Sequence, residues 1–325
     1  MHNQPLVVGL FRFDLIVTEE IILPPYKGFA FRGVFGTVLR ELACVLPEEE
    51  CTSCPFRQTC IYAYLFETSP LEGVEGFRRF SNFPRPYIIH PPMGDKRHFR
   101  RYDRMQFDFL LIGRASDCLP QVIATFDLIG QHGIRDGQGR FMIEKVTAIA
   151  ENRAEQIIWQ GGTTLETTLP LHTLQCAKQP KKTSDQVLLQ FYTPLLIEER
   201  GKITYETPRF SLLIEHLGRR IMLLQALHGN GGLSKEQLDD LITLAEKVTI
   251  SQSTMQWKQM ERISNRQQAR IKTGGLLGQV CYQGDLTPFM PLLRAGEIVH
   301  VGKSTTFGFG GYRLKKPDTT ESRRG

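Results

Sequence analysis

One order of elements occurs twice along these 325 residues, and it constrains the fold more than any other feature. Leu6 to Val17 alternates as a strand does, and Gly28 to Cys44 then sets Phe31, Val34, Phe35, Val38, Leu39 and Leu42 at helical spacing. Gln106 to Ile112 and Arg140 to Ala148 are strand-like, with a helical stretch from Leu119 to Ile129 between them. After a polar, lysine-bearing stretch, Gln175 to Gln186, the order returns. VLLQFYTPLLI (Val187 to Ile197) reads as a strand, Pro208 sits at a first-turn position, and Phe210, Leu213, Ile214, Leu217, Ile221 and Leu224 make one apolar face closed by Gly229. Ser234 with Gln237 is a capping box opening an extra short helix. Strand-like Lys247 to Trp257 and Leu276 to Tyr282, a helix from Leu286 to Leu293 and a last strand near Phe307 to Leu314 complete the set.

Each half thus follows a β-α-β-β-α-β order, and the expected class is α+β, with two ferredoxin-like domains in tandem. The expected boundaries are 1–174 for the first domain, 175–186 for a linker and 187–325 for the second. A cysteine-rich loop and the basic, proline-rich stretch from Pro84 to Arg104 read as insertions in the first domain. With 41% hydrophobic residues the chain can bury two cores, and no apolar run reaches the roughly eighteen residues of a membrane span. A soluble, cytoplasmic protein is expected.

The net charge is +6, and its distribution is more telling than its size. KRHFRRYDR (Lys96 to Arg104) and WKQMERISNRQQARIK (Trp257 to Lys272) each hold five positive residues and one negative, so each contributes +4 and the remainder sums to 6 − 8 = −2. Localised positive charge of this kind suits a nucleic-acid backbone. Arg97, Arg100 and Arg101 lie in the first stretch. In the second, Arg262, Arg266 and Arg270 line one face if the segment is helical and remain a looser basic patch if it is a β-hairpin. Trp257 reads as a stacking platform for a base or as a core residue.

Cys44, Cys51, Cys54 and Cys60 fall as C-x6-C-x2-C-x5-C. Four thiolates suffice for one structural zinc or, less readily, an iron-sulfur cluster, and the alternative is a reduced cysteine-rich loop. Cys118, Cys176 and Cys281 are scattered and expected to be small buried residues.

HVGKSTTFGFGGY (His300 to Tyr312) contains GKST, yet a phosphate loop of a nucleotide hydrolase needs glycine where this chain has Glu297, and a helix afterwards. Thr305 to Tyr312 instead mixes β-branched, aromatic and glycine residues, and reads as loop running into strand. Gly302, Gly308 and Gly310 beside Lys303 still suit a phosphate backbone.

LPPYKGFAFRGVFG (Leu23 to Gly36), CIYAYLFE (Cys60 to Glu67), FYTPLLI with its long following helix, WKQMERISNRQ, GDLTPFMPLL and HVGKSTTFGFGGYRL resemble, in order and over nearly the whole chain, the CRISPR-associated repeat-processing endoribonucleases of the RAMP superfamily. The resemblance implies tandem RAMP-type domains that bind CRISPR repeat RNA, with the glycine-rich loop gripping RNA or bracing the domains. It implies cleavage without a metal cofactor: a ribose 2′-OH attacks the neighbouring phosphorus and leaves a 2′,3′-cyclic phosphate and a 5′-hydroxyl. Many members carry a catalytic histidine in or near the first helix, and Gly28 to Cys44 contains none. Tyr26 and Lys27, or His300 with Lys303, are then the catalytic candidates, with Arg32 and Arg40 as phosphate clamps. His300 reads equally as a strand-end residue shaping its loop, and His90 and His98 as surface phosphate contacts or residues without a role. Pre-crRNA is the implied partner, with other CRISPR effector subunits if the chain is an inactive, guide-RNA-holding relative. A cysteine-borne redox cluster is the remaining alternative.

Overall fold

The computed structural model describes residues 6–68, 83–135, 137–162, 166, 168–174, 185–229, 232–264 and 269–316. The first half gives β1 (Val7–Val17), α1 (Gly28–Ala43), α2 (Ile61–Phe66), β2 (Tyr87–His90), β3 (Arg104–Ile112), α3 (Leu119–His132), β4 (Phe141–Ile149) and β5 (Glu155–Gln160). The second gives β6 (Gln186–Leu195), α4 (Phe210–His228), α5 (Lys235–Ala245), β7 (Thr249–Ser253), β8 (Gln256–Ser264), β9 (Ala269–Gln283), α6 (Met290–Val299) and β10 (Tyr312–Lys315).

The first sheet runs β2-β3-β1-β4-β5 and the second β7-β9-β6-β10, all antiparallel, with β8 folded back on β9. Omitting β5 and β8, each sheet sets its strands in the order second, third, first, fourth, the arrangement expected of a ferredoxin-like unit. β1 shows how the sequence dictates this. Phe11, Phe13, Leu15 and Val17 alternate inward, while Arg12 and Asp14 take the other face, where Arg12 bonds Asp108 at 3.1 Å and Glu155 at 2.8 Å. On the inner face Phe35 of α1 stacks on Phe126 of α3 at 5.3 Å, placing both helices over one apolar layer.

One expectation changes and one left open is decided. The stretch from Pro84 to Arg104 is not wholly an insertion, because Tyr87–His90 is the second strand of the first domain, buried along most of its length. Flanking prolines disguise it, and they are tolerated because β2 is an edge strand. For the basic segment after Trp257 the hairpin alternative is the one formed: β8 pairs with β9 from Gln256↔Leu277 to Ser264↔Ala269. Ile263, Ile271 and Thr273 favour extended chain, and cross-strand pairing outweighs any helical alignment of the arginines. The stretch 175–186 lies outside the described residues up to 184, and Gln186 already opens β6.

The halves share apolar packing. The core around α4 takes in Val8, Ile88, Leu110 and Ile112 of the first sheet, so β3 ends in a run, Phe109 to Ile112, that is buried on both faces. No helix among the described residues is long and apolar enough to cross a membrane.

Candidate functional site

The glycine-rich loop leaves α6 at His300, makes a short 3-10 turn at Thr305–Phe307 and enters β10. It is laid across the first domain. A Cβ on Gly28, the first residue of α1, would sit 2.1 Å from the Phe307 carbonyl oxygen. One on Gly308, at φ +89°, would sit 2.6 Å from the Ile89 carbonyl oxygen of β2. Only glycine admits approach this close from both directions. Gly302 and Gly310 also have positive φ, with Ser304 and His300.

The residues expected to be catalytic gather at this loop, and most of their polar atoms are already used. The buried Tyr26 hydroxyl donates to the Phe307 carbonyl at 2.9 Å, its ring meets Phe309 edge-on at 4.9 Å, and burial pushes its pKa far up. Lys27 is 3% exposed and its amine donates to the Gly94 carbonyl at 2.5 Å, tying the basic stretch to the start of α1; burial lowers its pKa against the pull of Asp95. His300 is fully buried, with Nδ1–H donating to the Phe309 carbonyl at 2.9 Å and Nε2 accepting from the Tyr192 hydroxyl at 3.3 Å. Its ring lies 4.8 Å from that of His90, nearly parallel, and burial followed by the neighbouring imidazole holds its pKa well below the usual histidine range. The Lys303 amine pairs with the Glu198 carboxylate and stays half exposed.

At the outer face of the loop Phe307 collects two cations. The Arg32 guanidinium of α1 lies 5.1 Å from the centre of its ring and 4.7 Å from that of Phe66, and the Arg262 guanidinium of β8 lies 5.4 Å from Phe307. Arg32 Nε and the neighbouring Tyr87 hydroxyl are buried without a hydrogen bond of normal geometry. Burial, then the nearness of Arg32, lowers the Arg262 pKa.

The other expected contacts lie apart. Arg40 donates to the Pro47 carbonyl at 3.1 Å, Arg97 Nε to the Leu23 carbonyl at 3.0 Å, and Arg101 lies over its neighbour Tyr102. The Arg100 backbone N–H donates to Asp103, and the side chains of Arg97, Arg100 and Arg101 remain exposed on one loop. His98 faces Glu20. Arg266 falls outside the described residues, and Arg270 stands opposite Ile263 in the hairpin. Trp257 packs its ring against Tyr205 at 4.5 Å.

Cys44, Cys51, Cys54 and Cys60 are free and partly exposed, and no group of three or more His, Cys, Asp or Glu among the described residues is placed to hold a metal ion. Of the two alternatives the sequence offers here, a thiolate cage and a reduced cysteine-rich loop, the described residues show the loop. Ordinary backbone turns hold the loop, such as Ser53 N–H to Glu50, Arg57 N–H to Cys54 and Cys60 N–H to Phe56. Burial, chiefly, raises the Cys51 pKa.

Sequence reasoning missed Phe307, Phe309 and Tyr192 as members of this site. The first two stood in plain view as aromatics alternating with glycine in TTFGFGG. Behind the loop a cavity of about 500 Å³ opens between the sheets, lined by His90, Gln106, Asp108, Tyr192 and Arg313 among others.

Two antiparallel sheets of matching strand order, bridged by a glycine loop carrying cations, define an α+β protein of tandem ferredoxin-like type. Residues 6–172 match the AF_1859_N family model, described as an N-terminal domain, and residues 189–312 match that of the CRISPR-associated endoribonuclease Cas6. An uncharacterized protein of Archaeoglobus fulgidus is 23% identical over 295 residues, 90% of this chain and 93% of its own. A solved Cas6 product complex superposes with a TM-score of 0.58 at 13% identity, over 95% of this chain and 100% of that one. Thermus thermophilus Cas6 gives 0.55 at 11%, over 95% and 99%. The chain belongs to the Cas6-type family of CRISPR-associated proteins.

Proposed function

We propose that the chain is a metal-independent endoribonuclease that cuts CRISPR repeat RNA by 2′-OH attack and so matures crRNA. The observation that carries this reading is the meeting of α1, the glycine loop and the β8–β9 hairpin, drawn from both domains, around Phe307 with two guanidiniums at its ring. Such a junction offers fixed positive charge where a phosphodiester gains negative charge, which is the main requirement of cleavage without a metal. Membership in a family with an endoribonuclease model, and a neighbour solved as a product complex, support it.

The four catalytic candidates then divide by what their polar atoms already do. Tyr26 and His300 are positioning residues, holding the Phe307 and Phe309 carbonyls and through them the loop. Lys27 fixes the basic loop, whose Arg97, Arg100 and Arg101 track RNA phosphates away from the cut. Lys303 is half exposed and exchanges Glu198 for a phosphate when RNA binds. Lys303→Ala should therefore weaken repeat-RNA binding about fivefold and flatten its salt dependence; equal affinity and slope would remove that role. The cysteine loop supports α1 and takes no part in chemistry.

A second reading, a guide-RNA-holding subunit without nuclease activity, draws on two observations: α1 carries no histidine, and both nitrogens of His300 are engaged. Repeat RNA with a single 2′-deoxy nucleotide just 5′ of the cut separates the readings. The nuclease should bind it normally and leave it whole while cutting the all-ribose RNA. Cleavage of both would rule out 2′-OH attack, and cleavage of neither would favour the holding subunit.

A further inference from the structure

We propose that Arg32 and Arg262 form a two-guanidinium clamp on the phosphate at which the RNA is cut, with the Phe307 ring as their spacer. This rests on the endoribonuclease reading. The two cations come from different domains, α1 and β8, and converge on one ring at 5.1 and 5.4 Å. Neither forms an ion pair among the described residues, and Arg32 Nε is buried beside the Tyr87 hydroxyl without a hydrogen bond of normal geometry. Two like charges brought together and partly desolvated repel one another, and the ring faces repay only part of that. An anion between them removes the conflict. The lowered Arg262 pKa, due to burial and then to Arg32, agrees with the geometry.

Charge matching selects the anion. A phosphodiester carries one negative charge in the ground state. As O2′ loses its proton to solvent and bonds to phosphorus, the phosphorane gains a second, which leaves with O5′ and is quenched by a proton from solvent. The clamp carries two positive charges, so it matches the phosphorane better than the bound substrate, and the preference lowers the barrier instead of only tightening binding. Guanidiniums fork onto paired phosphate oxygens, which an ammonium cannot copy. The clamp assembles only when the domains are docked, because Phe307 is delivered to α1 by the glycine loop.

The test is single-turnover cleavage of repeat RNA at saturating protein by Arg32→Ala, Arg262→Ala, Arg262→Lys and the double alanine variant, alongside their Kd for the uncleavable 2′-deoxy RNA. Each alanine variant should lose at least about tenfold in rate while Kd changes less than about threefold. Lysine should restore only part, added guanidinium should partly rescue Arg262→Ala, and the double loss should fall short of the product of the singles. Arg262 is on an exposed hairpin, so its variants report even if Arg32→Ala misfolds. Wild-type rates in the folded Arg262 variants, or a fall in rate matched by an equal rise in Kd, would overturn the clamp alone. A wild-type protein that binds repeat RNA without cutting it would overturn the endoribonuclease reading and the clamp with it.

Discussion

Gly28→Ala is expected to cost about 2–3 kcal/mol of stability, although alanine is the better helix former. The added methyl would sit 2.1 Å from the Phe307 carbonyl oxygen, a backbone atom that moves only if the glycine loop moves. Tyr26 holds the same carbonyl, so displacing it also disturbs the hydroxyl contact and the ring contacts of Phe307 and Phe309. Gly33→Ala, on the same helix, is the control: nothing lies within 4 Å of its Cβ, and it should be neutral or stabilising by up to about 1 kcal/mol. Urea unfolding of the two variants checks this directly. Equal stabilities would mean that the loop is not seated on α1 as described. If it is, Gly28→Ala should also slow RNA cleavage more than Gly33→Ala does.

Acid should weaken the free protein, and His228 at the end of α4 sets the window. It is buried, its Nε2–H donates to the Pro84 carbonyl at 3.2 Å, and its Nδ1 accepts from the Tyr64 hydroxyl at 3.2 Å. Burial, reinforced by Arg114 and Arg220, pushes its pKa down to about 4. The unfolded chain takes up this proton near the ordinary value of about 6.5, the folded chain only near 4, so the unfolded state binds more protons between them. Stability is therefore full above about pH 7 and falls by about 3 kcal/mol as pH drops to 4. Burial lowers the pKa values of His90, His216 and His300 as well, adding in the same direction. Urea midpoints across this range should slope downward toward acid, and His228→Gln should flatten the slope. A flat wild-type profile would contradict the buried neutral histidines that join the two halves.

Much of the fold was legible because it depends on short-range pattern. Alternation in Leu6 to Val17, the apolar faces of α1 and α4 and the Ser234 capping box all appear where the sequence places them. What was missed or left open depended on partners distant in sequence. Tyr87–His90 is too short and too proline-bound to read as a strand until β3 is there to pair with it. For the arginines of the hairpin the choice between helix and hairpin stayed open, because a four-residue spacing is visible in one chain and a cross-strand register is not. The site divided in the same way. Its residue types were visible near Tyr26, Lys27, His300 and Lys303, but which polar atoms are spent on backbone carbonyls is decided by tertiary contact. The pairing of Arg32 with Arg262 across 230 positions, around an aromatic from a third segment, leaves no local trace.

The most direct measurement is to incubate the purified protein with end-labelled repeat RNA from its own locus in EDTA and map the product ends. A single cut within the repeat, leaving a 2′,3′-cyclic phosphate and a 5′-hydroxyl, is the predicted result. Tight binding without a cut, or a cut that leaves 5′-phosphate ends, would contradict it.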